Sequence, residues 1–401
     1  PLTDIYEPAG NLADRIDAFV SLGIGGSYLG IEAAFSALSH NYWNQLTLEE
    51  RGGFSGIYFL GQKMDPGYFR DTMDMLRGKS IGGNVISKSG TTTETALAFR
   101  ILRDLLENMI DDEAAEYIVA TTDADKGALR KLAEEKGYKT FVVPNNIGGR
   151  FSVVSDVGLF GLAMCGIDLE SFLDGFKDMK VRTDSEDFWQ NPAMLHAAAR
   201  HLAWQKGKKI EVVAANSASI YHLARWMEQL FPESEGHNGK GMWVSPSMYS
   251  EKLHANGQMV QDGERNILET FLNLQNFDNT VEIPADEANL DGLNYLPENG
   301  KTMNDLNRLA IDGPAYAHYN GGVPNMTINI PERTSYHVGS LFMMMERSVA
   351  LSGYLLGHNP FIQPGVEDYK KAVFALAGRP GYEKEGAKIA KAMKKRKRIV
   401  V

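Results

Sequence analysis

Short apolar runs alternate with amphipathic stretches along the first third of the chain. Ala18-Phe19-Val20-Ser21-Leu22, Gly56–Leu60, Asn84-Val85-Ile86, Tyr117-Ile118-Val119-Ala120 and Thr140-Phe141-Val142-Val143 are brief and apolar throughout, the signature of buried strands. Between them lie helical stretches: Ile31–Phe35, Tyr68–Leu76, the series Ala98, Ile101, Leu102, Leu105, Leu106 and Met109, and Lys126–Glu135. Strand and helix in alternation predict a parallel, doubly wound sheet covered on both faces.

Residues 166–192 are acidic with scattered aromatics and read as a connector. The alternation then restarts. Lys209–Ala215, Val281-Glu282-Ile283-Pro284 and Met326–Ile330 are expected strands. Ile220–Leu230 is an expected helix, residues 338–356 a long apolar one, and Val366–Ala377 a last amphipathic one. The predicted organisation is α/β throughout: a first unit over 1–165, the connector, a second unit over 193–350, and a C-terminal helical segment over 351–401.

Composition narrows the function. The 401 residues are 43% hydrophobic and 23% charged, enough for a large core spread over more than one domain. A net charge of −10 disfavours broad binding of nucleic acid or anionic membranes, so any phosphate site has to be positive locally. No run of 18 apolar residues exists to span a bilayer, and no basic-then-apolar signal segment precedes the first strand, although the chain opens on Pro1. A lone Cys165, set among apolar neighbours, excludes an intramolecular disulfide and fits a reducing cytoplasm. The run Lys394-Lys395-Arg396-Lys397-Arg398 reads as a solvated helix end, where cations are welcome.

Two strand-to-helix turns carry candidate chemistry. Ser87-Lys88-Ser89-Gly90-Thr91-Thr92-Thr93-Glu94-Thr95 places hydroxyls, a lysine and a glycine where unpaired helix N–H groups can hold a phosphate. A helix cap needs only one of those hydroxyls. Gly23-Ile24-Gly25-Gly26-Ser27-Tyr28-Leu29-Gly30 fails the dinucleotide fingerprint, because Tyr28 stands where the third glycine belongs; it is expected to let a ligand approach the backbone, with Ser27 as donor. Arg150, on the double-glycine turn Gly148-Gly149, is placed to enter a cleft, with a surface guanidinium as the plain alternative. Glu233–Gly241 reads as a polar, glycine-rich loop able to carry a base. His254 and Lys370, the latter one turn into a helix opened by Gln363-Pro364-Gly365, complete the candidates. No metal-ligand spacing is present: His196 and His201 are five apart, off one helical face. Asp123-Ala124-Asp125 lacks the glycine of a calcium loop and reads as a turn.

Taken in order, Gly23–Gly30, Ser87–Thr95, Gly148–Ser152, Glu233–Gly241, Leu253–Gln258, Gly321-Gly322-Val323-Pro324-Asn325 and Gln363–Lys370 make the chain resemble the glucose-6-phosphate isomerases of bacterial type over nearly its whole length. The resemblance implies two doubly wound parallel-sheet domains of the sugar-isomerase (SIS) fold with a C-terminal helical segment. It implies Glu233 as the base, His254 for ring opening, Lys370 on the ring-oxygen side and Arg150 facing an enediolate. Ser27, Ser87, Ser89 and Thr92 would hold the phosphate, and Gly26, Lys88 and Gln363 would line the sugar. It further implies an active homodimer in which His254 reaches the partner's site, no cofactor, a sugar phosphate as substrate, and a place in glycolysis and gluconeogenesis. Two departures are visible: His237 stands where the family usually has lysine, with Lys240 as a substitute charge, and the segment before the first glycine turn is short. Of the alternatives, a glutamine-dependent aminosugar synthase needs a nucleophilic cysteine that Cys165 cannot supply. A sugar-phosphate sensor has no need of Glu233, Arg150, His254 and Lys370 together.

Overall fold

The computed structural model describes residues 1–396, so Lys397 and Arg398 of the basic tail lie outside the described residues. Nine strands form two all-parallel sheets among those residues. The first contains β1 (Ala18–Leu22), β2 (Gly56–Leu60), β3 (Ile81–Ile86), β4 (Ile118–Thr122) and β5 (Lys139–Val142), in the spatial order β2-β1-β3-β4-β5. The second contains β6 (Ile210–Ala215), β7 (Trp243–Met248), β8 (Ile267–Leu274) and β9 (Asn325–Ile330), in the order β7-β6-β8-β9.

Helices α1 (Thr3–Ala13), α2 (Leu29–Leu38), α3 (Pro66–Leu76), α4 (Thr93–Ile110), α5 (Ala128–Lys136) and α6 (Asp156–Met164) dress the first sheet. One of its faces packs Val20, Leu22 and Val85 against Leu102 and Leu106 of α4 and Leu129 of α5. The other places Phe19, Ile57 and Val119 in a larger core that also holds Ile220, Trp226, Phe342 and Leu272 from the second half. Both sheets therefore share one continuous apolar core. Buried apolar area contributes about 25 cal/mol per Å², so separating the halves would expose a large stabilising surface.

The second half adds α7 (Leu169–Thr183), α8 (Pro192–Gln205), α9 (Ala218–Glu235), α10 (Leu253–Asp262), α11 (Tyr295–Glu298), α12 (Met303–Asn320), α13 (Ser335–Leu355), α14 (Glu367–Leu376) and α15 (Glu383–Lys395). Three readings need correction. The stretch expected as a connector carries α7, whose backbone lies so close to α13 that a Cβ on Gly339 would sit 2.0 Å from the Phe172 carbonyl oxygen. Val281–Pro284 contributes only an isolated bridge, Glu282 to Thr302. Helix α14 is followed by α15, so it is not the last.

Two strands escaped the apolar pattern for physical reasons. Pro246 interrupts β7, which is tolerable because β7 is an edge strand. Glu269 interrupts β8, yet its buried carboxylate accepts a hydrogen bond from Tyr249 Oη at 2.6 Å and lies 2.8 Å from His318 Nδ1.

Polar groups also tie the second half together. Arg200 on α8, 1% exposed, donates to Glu211 of β6 at 2.8 Å, to Glu235 at the end of α9, and to Ser352 of α13 at 3.2 Å. Thr270 Oγ1 donates to the other Glu211 oxygen at 2.6 Å. The buried His196 is pushed down to about 4 by desolvation, so it is neutral at pH 7, with Nδ1 2.6 Å from Ser348 Oγ. Replacing Arg200 by Met would strand two buried carboxylates, which typically costs about 3–5 kcal/mol. Urea unfolding of Arg200→Met is expected to show that loss. A loss under about 1 kcal/mol would mean the carboxylates are satisfied by other means.

Candidate active site

The order β2-β1-β3-β4-β5 reverses between β1 and β3, and ligands of doubly wound sheets bind where the order reverses, beyond the strands' carboxyl ends. Both candidate turns leave the sheet there. Leu22 of β1 pairs with Val85 of β3, so Gly23–Gly30 and Ser87–Thr95 emerge side by side.

In the second turn, buried Ser87 accepts the Gly90 N–H at 3.1 Å through Oγ. Ser89 Oγ accepts the Thr91 N–H at 3.2 Å and lies 3.0 Å from Thr91 Oγ1. Thr92 is the N-cap of α4, but its hydroxyl makes no capping bond. Lys88 is exposed and reaches the Asn145 carbonyl at 3.5 Å. Gly90 has φ +71°, and a Cβ there would sit 2.2 Å from Leu129 N, so only glycine closes the turn.

The glycine turn touches the arginine turn. A Cβ on Gly26 would lie 2.0 Å from the Gly149 carbonyl carbon, which explains why Gly26 carries no side chain. Arg150 follows and is 2% exposed. A buried guanidinium has to find acceptors, since an unpaired one is costly. Arg150 Nε donates to Ser234 Oγ at 2.7 Å, Nη1 to Gln363 Oε1 at 2.9 Å, and Nη2 to the Pro360 and Ile362 carbonyls. Burial pushes its pKa down, and the neighbouring Glu233 carboxylate pushes back. The surface alternative for Arg150 is thus excluded.

Glu233 Oε2 lies 3.9 Å from Arg150 Nη1 and accepts a hydrogen bond from Gln229 Nε2 at 2.9 Å. The structure corrects its setting: Glu233 is in the last turn of α9, not in a loop. Pro232 lacks an N–H and usually ends a helix, hence the early stop expected at Leu230. The helix nevertheless continues to Glu235, with Ser234 held by Arg150 and Glu235 by Arg200. Gln229 was missed altogether. It sits one turn before Glu233, the i,i+4 spacing that places two side chains on one face, and it borders Gly25.

The segment after α13 is strapped to the same region. Lys240 Nζ donates to the Leu356 carbonyl at 2.7 Å, and His358 Nε2 lies 3.0 Å from the Glu235 carbonyl. His237 is buried, with its ring centroid 5.1 Å from that of His358. Lys370 is half-buried in the first turn of α14, seven residues beyond Gln363. His254 opens α10 and is exposed; no contact described here joins it to Arg150 or Glu233 of its own chain. Ser27 is half-buried in the glycine turn. Among the described residues, no group of three or more histidine, cysteine or acidic side chains is placed to hold a metal, and no helix is long and apolar enough to cross a membrane. Cys165 is buried in the core, and burial pushes its thiol pKa up.

Two parallel sheets with this strand order define a phosphosugar-isomerase fold. A solved Escherichia coli tagatose-6-phosphate ketose/aldose isomerase shares that fold at TM-score 0.51 and 14% identity, covering 90% of this chain and 88% of its own. A Chlamydia trachomatis glucose-6-phosphate isomerase shares it at 0.77 and 19%, covering 97% and 76%. The family model described as phosphoglucose isomerase matches residues 6–385, and the chain belongs to that family. Curated glucose-6-phosphate isomerases from Clostridioides difficile (44% identity, 97% of this chain and 86% of that one) and Heliobacterium modesticaldum (46%, 94% and 84%) are close relatives.

The contact between Gly26 and Gly149 yields a test. Gly26→Ala forces the arginine turn away, and a displacement of about 1 Å at a catalytic group can cost about 10²-fold. The kcat/KM of Gly26→Ala is expected to fall by about that factor with an unchanged far-UV spectrum. Wild-type kinetics would show that the turn relaxes without moving Arg150.

Proposed function

We infer that this protein interconverts glucose 6-phosphate and fructose 6-phosphate by ring opening and proton transfer through a cis-enediolate. The observation that carries the mechanism is the Glu233–Arg150 pair, 3.9 Å apart and held from different sides, beside the switch-point turns. A carboxylate serves as the base. It takes the proton from C2 of the open-chain aldose and returns it to C1, so one group performs both transfers. Negative charge develops on the oxygens of the intermediate. A guanidinium already fixed by Ser234, Gln363 and Pro360 stabilises that charge without reorganising. Arginine also keeps its own proton and does not compete for the travelling one.

The remaining roles follow the family's motifs. Ser27, Ser87, Ser89 and Thr92 hold the phosphate, anchoring the unreactive end so that binding energy positions the reacting carbons. Gly26, Lys88 and Gln363 line the sugar. His254 and Lys370 open the ring: an imidazole can take up and return a proton, and an ammonium polarises the ring oxygen. No cofactor enters the scheme. Residues 1–165 and 193–350 act as the two SIS units, with 351–401 supplying Lys370. The lone cysteine and a role in sugar-phosphate metabolism favour the cytoplasm.

Glu233→Gln is expected to lose solvent exchange of the substrate C2 proton and to slow turnover by about 10²–10⁴-fold, as for other general bases. Wild-type exchange in that variant would remove Glu233 from the role.

The exposure of His254 at the start of α10 favours a site completed by a second subunit. Mixing inactive Glu233→Gln with inactive His254→Ala is expected to restore activity in heterodimers, each of which regains one intact site. Isolated heterodimers without activity would refute the shared site.

A further inference from the structure

Beside the hydroxyl turn, α4 and α5 part to leave a groove of about 170 Å³ over β3. Its lining joins Ser87 of the turn to Thr95, Phe99, Arg100 and Arg103 of α4 and Leu129 of α5. Two observations set it apart from an ordinary gap between helices. Thr95 is 1% exposed, and its hydroxyl has no hydrogen-bond partner among the described residues. Arg103 Nε is likewise buried without a hydrogen-bond partner: Glu107 pairs with it only at 3.9 Å, beyond hydrogen-bond reach, and lies 2.9 Å from Lys136 Nζ. Buried polar groups are nearly always satisfied, so both atoms point to a ligand that satisfies them.

The chemistry of the lining selects that ligand. Arg100 and Arg103 offer two cations on a protein whose net charge is −10. Phe99 and Leu129 offer apolar walls, and Thr95 offers a hydroxyl. We propose that the α4–α5 groove binds a small organic anion, its carboxylate or phosphate head on the arginines and a short apolar body between the helices, and that its occupancy modulates substrate binding. The coupling is local. Ser87 Oγ fixes the Gly90 amide, and Gly90 is packed on Leu129, so the groove and the turn share a wall. That part rests on the turn holding the substrate phosphate; binding in the groove does not.

The test uses the intact enzyme with 4-fluorobenzoate and 4-fluorophenyl phosphate as separate probes, followed by fluorine NMR. At least one probe is expected to give a saturable shift that persists under saturating fructose 6-phosphate. Arg103→Met and Arg100→Met, changes at the partly exposed groove mouth, are each expected to weaken it by about tenfold, the factor for losing about 1.4 kcal/mol. The bound probe is also expected to change KM for fructose 6-phosphate in a non-competitive pattern. Which probe binds distinguishes a carboxylate from a phosphate ligand. No saturable shift below about 10 mM, a very weak affinity, would overturn the proposal. So would displacement by fructose 6-phosphate, equal affinity in both variants, or binding that leaves KM unmoved. The NMR measurements need no turnover, so loss of the isomerase reading would show itself separately in the activity assay.

Discussion

A guanidinium withdrawn from water must be surrounded by acceptors, and at Arg150 those acceptors come from two distant parts of the chain. Ser234 lies in the last turn of α9, while Pro360, Ile362 and Gln363 belong to the turn segment between α13 and α14. Meeting the needs of one buried cation thus brings the first sheet's arginine turn, the second half's carboxylate and the C-terminal segment to one point. The same demand holds the Arg150 guanidinium by acceptors on several sides, the fixed placement that the proposed enediolate mechanism asks of it.

Helix α9 is held at its end by a second arginine. Arg200 takes Glu235, two residues beyond Glu233, into a buried cluster with Glu211 and Ser352. Neither arginine touches Glu233, the proposed base, through a short hydrogen bond; they fix the turn that bears it. Gln229 donates to Glu233 from the face bordering the glycine turn. A base that must serve two neighbouring carbons is better fixed by its backbone than by tight ion pairing, since a strong pair would make the carboxylate a weaker acceptor of the proton.

Much of the first sheet was legible because its strands are apolar on both faces, as burial between helix layers demands. The second sheet hid β8, because Glu269 interrupts its apolar run and only Tyr249 and His318, brought in by the fold, satisfy that carboxylate. It hid β7 behind a proline that only an edge strand accepts. Helix α7 was read as a connector because its exposed face is acidic, while Leu169, Phe172 and Gly175 bury the other. In each case the missing information was a partner far away in sequence.

The order of motifs along the chain was enough to indicate the family, the hydroxyl turn and the residues that carry charge, because these depend on local backbone needs: glycine where φ is positive, hydroxyls at a helix start, short apolar runs for buried strands. Sequence could not say that Glu233 ends a helix instead of riding on a loop, that Gln229 stands beside it, or that Arg150 is buried. The helical setting of Glu233 and the burial of Arg150 follow from contacts between residues 84 to 213 positions apart, where satisfying a buried charge outweighs the local preference of proline to stop a helix.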